Sequence, residues 1–110
     1  MSSFRALIDQ LGAADVTVRE AARDELLRQD EDIVDLLIAD YYAGLPQAVA
    51  AEVIGILGEI GGWEALNLLG DVYYSRETRP ILKAAARRAL LRNADNLDAQ
   101  QVAQLREDEA

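Results

Sequence analysis

The sequence predicts an all-α fold, a short solenoid of about six to seven helices stacked as antiparallel hairpins, and three observations carry that prediction. Apolar residues recur at spacings of three and four: Val18, Ala21, Ala22 and Leu26 form one stripe, and Val34, Leu37, Ile38 and Tyr41 form another. No stretch alternates with period two for long enough to make a strand. The chain also repeats itself. IVDLLIADYY and ALNLLGDVYY end in Tyr41-Tyr42 and Tyr73-Tyr74, 32 residues apart, while Val18, Ala22 and Leu26 align with Val49, Val53 and Leu57 and then with Leu82, Ala86 and Leu90 at steps of 31 and 33. A two-helix unit of this length cannot bury both of its apolar stripes alone, so neighbouring units must stack.

Local punctuation sets the elements. An opening helix over 3–12 closes the first end. Asp15 is suited to cap a helix over 16–28, followed by a second over 31–43. Pro46 suits the first turn of a helix over 46–59, Gly61-Gly62 breaks the chain, and the next helix runs over 62–74. Thr78 before Pro80 offers a cap for 79–93, and a last helix spans 97–107. All 110 residues form one domain, with 107–110 expected to fray.

Composition narrows the function. The hydrophobic fraction is 51% but aromatics supply only 5%, so Ala, Leu, Ile and Val dominate, as close helix packing requires. There is no cysteine and no histidine, which removes thiolate nucleophiles, disulfides, the usual zinc ligands and the most versatile general base. The first 11 residues include Arg5, Asp9 and Gln10 and lack a long apolar run, so neither a signal peptide nor a membrane span is expected, and a cytoplasmic location is inferred. The net charge of −9 is concentrated: residues 29–75 contain no Lys or Arg, yet hold Asp30, Glu31, Asp32, Asp35, Asp40, Glu52, Glu59, Glu64 and Asp71. The remainder balances 11 acidic with 11 basic residues, and the acidic middle disfavours nucleic acid or an anionic membrane as its partner.

VREAARDELL and LKAAARRALL resemble the first helix of HEAT-like repeats of the phycobilisome-lyase type, and LGEIGGWEAL resembles their hinge and second-helix start. The resemblance covers positions 4–92 and implies a right-handed α-solenoid whose second helices line the concave surface. It is specific for fold and weak for function, because such repeats serve scaffolds, lyases, chaperones and nucleic-acid proteins alike. The middle repeat departs from the pattern, with Glu52 in place of a small residue and Ala50 in place of a basic one, leaving a carboxylate near a helix interface that needs a partner or a route to solvent. Hydroxylases of this fold use His-Glu metal ligands, which a chain without histidine cannot supply. Composition does not exclude a bilin-lyase role, but a chain this short would at best be a fragment or partner of such an enzyme.

The expected partner site lies on the second helices. Asp32, Asp35, Ala39 and Tyr42 share one helical face, and Glu64, Asn67, Asp71 and Tyr74 repeat the arrangement. Tyrosine supplies contact area and a hydroxyl, while carboxylates favour and steer a basic partner. The alternative is a merely solvated face. Tyr41 and Tyr73 should point into the packing, and Trp63 is expected to cover the hinge, with an exposed anchor as the other reading. Arg76, Arg79, Lys83 and Arg87 form a stripe, joined by Arg88 and Arg92, that could grip phosphate; keeping the helix soluble and pairing with the neighbouring acids is the plainer role. No Gly-rich phosphate loop, metal site, cofactor or catalytic set is expected. The sequence therefore predicts a non-enzymatic adaptor, assembly factor or accessory subunit that binds a basic protein segment. Self-assembly into a homo-oligomer through the complementary acidic and basic regions, and nucleic-acid binding by the basic helix, are the alternatives.

Overall fold

The computed structural model describes residues 4–29 and 32–107, with Asp32 described for its backbone alone. Its elements are α1 (Phe4–Gln10), α2 (Val16–Leu27), α3 (Asp32–Ala43), α4 (Gln47–Ile60), α5 (Trp63–Tyr74), α6 (Pro80–Arg92), a 3-10 turn (Ala94–Asn96) and α7 (Ala99–Glu107). No strand occurs among the described residues, and the helices form the stack of hairpins that the repeat required. The expected fraying over 107–110 concerns mainly residues outside those described.

Most boundaries fall where local chemistry put them. Asp15 caps α2 by accepting a hydrogen bond from the Thr17 amide at 2.8 Å. Gly61 ends α4 at φ 70° and Gly62 starts α5 at φ 83°, conformations that side chains with a Cβ rarely adopt. Thr78 does not cap α6. Arg79, held extended by the proline after it, takes the cap position, and Pro80 opens the helix with no side-chain cap. Pro46 likewise precedes α4 rather than lying within its first turn.

α4 is the spine of the stack, burying Val49, Ala50, Val53, Ile54, Ile56, Leu57 and Gly58. Against it lies α6, presenting Leu82, Ala85, Ala86 and Ala89. The two backbones approach closely, because a Cβ on Gly58 would stand only 2.6 Å from Ala89 Cβ. Asn93, just past α6, fastens this seam by donating at 2.8 Å to the carbonyls of Gly58 and Ala89. Tyr73 is buried and Tyr41 is half-buried against the core, as their register predicted. No charged or polar residue is buried among the described residues.

The outer row of helices neutralises its own charge. Arg23 of α2 and Arg92 of α6 both reach Glu59 of α4, the second at 3.4 Å, so one carboxylate ties three helices together. Glu52, the departure from the repeat pattern, is half-buried and lines a cleft with Arg19 and Arg23 that opens it to solvent. No helix of the described residues is long and apolar enough to cross a membrane.

Candidate functional site

The second helices α3 and α5 lie against one another, and their polar faces meet. Asp35, Tyr42, Glu64, Asn67, Asp71 and Tyr74 are all exposed, while the side chain of Asp32, predicted for the same face, falls outside those described. Two cross-helix contacts join the rows. The Tyr42 hydroxyl donates to Asp71 Oδ2 at 3.2 Å. Asp35 and Glu64 lie on facing rows; hydrogen bonding with Asp35 and then its charge raise the pKa of Glu64 above its ordinary value.

Such a pair keeps two like charges adjacent on the surface. A carboxyl group can donate to a carboxylate only while it retains its proton, so the pair favours protonation of Glu64, and a cation placed across it would reverse that preference. Tyr42 also titrates above its ordinary value, through partial burial first and then the Asp71 carboxylate. Its ring stands edge-on to Tyr41, with centroids 5.7 Å apart, and Tyr73 and Tyr74 repeat the pairing at 5.0 Å. In each doublet the inner tyrosine holds the outer one in place. Tyr42 and Tyr74 remain 62% and 59% exposed.

Trp63 corrects an expectation. It is 73% exposed at the start of α5 and does not cover the hinge, because Gly61 and Gly62 turn the chain so that the indole leaves the packed side. The basic stripe is also divided. Arg87 is half-buried and donates through Nε to the Leu105 carbonyl of α7 at 2.8 Å, Arg79 donates to Gln47 Oε1 at 3.2 Å, and Arg92 is engaged by Glu59. Arg76 and Arg88 stay exposed and Lys83 is half-buried. The pairing of Arg92 with Glu59 follows the plainer role expected of these residues, while Arg76 lies in the turn before α6.

A second feature was not among those expected from the sequence. Between α5 and α7 lies an open trough of about 380 Å³, bordered by Asn67, Gly70, Asp71 and Tyr74 and floored by Leu66, Leu97 and Leu105. Its signal was present in the repeat alignment, where Gly70 stands opposite Ile38.

The fold is a stack of helical repeats, and this surface is a charged, tyrosine-bearing face of it. Against known proteins, a stretch of 55 residues, half of the chain, is 44% identical to the bilin biosynthesis protein PecF of Nostoc sp. (strain PCC 7120 / SAG 25.82 / UTEX 2576). The match covers 32% of that protein, so it relates this chain to about a third of the relative's length. No family model matches, and neither does any solved structure. The match overturns the expectation that the chain stands apart from enzymes: a relative named for bilin biosynthesis points to an enzyme-related role.

Proposed function

We propose that the chain is an accessory module of an enzyme system of the bilin-biosynthesis kind, with repeats of the HEAT-like lyase type, and that it recognises a basic segment of a protein partner through the α3–α5 face. The partial match to PecF supports the enzyme-related setting. The observation that carries the mode of recognition is the convergence of Asp35 with Glu64 and of Asp71 with Tyr42 on an exposed surface. Folding gains nothing from crowding two carboxylates, whereas a lysine or arginine from outside would satisfy both. A rigid repeat surface orders little on binding, so the charge complementarity is not offset by a large entropy loss. The exposed tyrosines add apolar contact around the charges.

The test uses the tagged full chain to isolate its partner, followed by zero-length carbodiimide cross-linking, which joins carboxylates to touching lysines. The expected result is cross-links from Asp35, Glu64 or Asp71 to a lysine-containing segment of the partner. Cross-links confined to acids on the outer helices, such as Glu20 and Asp24, would contradict the proposal.

A further inference from the structure

The repeats are alike in sequence but unequal in how they close. In the first, Ile38 of α3 packs against the core. The equivalent residue of the second is Gly70, and a Cβ placed there would have nothing within 4 Å. Glycine inside a helix weakens it and is explained when another backbone approaches or when φ is positive. Gly58 has such an explanation in Ala89; Gly70 has neither. What the missing side chain leaves is the trough between α5 and α7, with leucines beneath it.

The trough's surroundings indicate what would fill it. Trp63, Asn67, Gly70 and Tyr74 follow one another at steps of four, three and four, so they share one face of α5. The two exposed aromatic rings mark its ends, about 16 Å apart at 1.5 Å per residue. Asp71 borders the trough and receives Tyr42 from the other side, and Asn67, Asn96 and Gln101 add polar edges, so the leucines lie at the base of a mixed hollow continuous with the carboxylate-rich face. Water in a leucine-floored hollow is readily displaced by an aliphatic group, and the acids beside it select a cationic neighbour on the same ligand.

We infer that the trough over Gly70 receives a bulky aliphatic side chain from the basic partner segment, which takes the place that Ile38 fills one repeat earlier. The inference rests on the proposed recognition of a basic segment and adds a specificity to it: the segment must be amphipathic, with a leucine- or isoleucine-sized residue near its basic ones. Asp35 and Glu64 then hold the charge, while Gly70 admits the anchor.

Two labelled synthetic peptides of equal positive charge test this on the full chain, one built of arginine and alanine, the other with leucine replacing its central alanines. Affinity is read by anisotropy. The leucine peptide is expected to bind at least about tenfold more tightly. Gly70→Ile should abolish that preference; a thermal melt checks that the variant is folded. Equal binding of the two peptides by the native chain needs no variant and overturns the inference, as does a preference that survives in folded Gly70→Ile. Asp35→Asn with Glu64→Gln separates the two ideas. Loss of affinity for both peptides upholds the charged face whether or not the leucine preference exists, whereas no binding of either peptide to the native chain removes both.

Discussion

The α4–α6 seam and the α3–α5 face are built from the same repeat, yet they treat charge and space in opposite ways. At the seam, Gly58 and Ala89 bring two backbones together, Asn93 satisfies two carbonyls, and Glu59 is held by Arg23 and Arg92. On the face, carboxylates adjoin one another, tyrosines project, and Gly70 leaves space unfilled. The seam shows what this repeat does when stability is the only demand. The face departs from that pattern at several points, and such departures mark where a surface is reserved for something else.

The contrast can be broken most forcefully at the seam. Gly58→Val places two methyl groups where even a Cβ would overlap Ala89, and should lower unfolding stability by about 2–3 kcal/mol in urea titration. Asn93→Ala removes two 2.8 Å hydrogen bonds, one across to the α4 carbonyl of Gly58 and one back to the α6 carbonyl of Ala89, for a loss of about 1–2 kcal/mol. Glu59→Gln leaves two partly exposed arginines without their shared carboxylate; a loss of about 0.5–1 kcal/mol is expected, shrinking at high salt.

The face should respond with the opposite sign. The raised pKa of Glu64 means that the folded chain holds this proton more tightly than the unfolded chain does. The resulting stabilisation is present below the ordinary glutamate range and is lost as pH rises through the raised value. Asp35→Asn removes the charge responsible, so it should raise the melting temperature slightly at neutral pH, and the advantage over the native chain should fade in acid. A fall at neutral pH would show that the carboxyl pair supports the fold.

Much of the fold was legible because its determinants are local. Asp15, Pro80 and the Gly61-Gly62 pair fix helix ends through backbone geometry, and the tyrosine doublets fix the register of the second helices. The membership of the acidic face followed from helical spacing. What spacing could not give was the pairing across helices: Asp35 with Glu64 and Tyr42 with Asp71 depend on the offset between α3 and α5, which a single-helix pattern does not contain. For the same reason the capture of Arg87 by the Leu105 carbonyl was not legible, since it is set by the docking of α7. Trp63 was misjudged because two consecutive positive-φ glycines leave the direction of the next side chain open.

The most direct measurement compares the affinity of the isolated partner for two triple variants of equal net charge. One is Asp35→Lys, Glu64→Lys and Asp71→Lys on the face, the other Glu20→Lys, Asp24→Lys and Glu77→Lys at exposed sites elsewhere. If the α3–α5 face is the recognition surface, the first loses binding by a hundredfold or more, on the order seen when clustered interface charges are reversed, while the second stays within about threefold of the native chain. Equal losses, or full binding by the face variant, would contradict it.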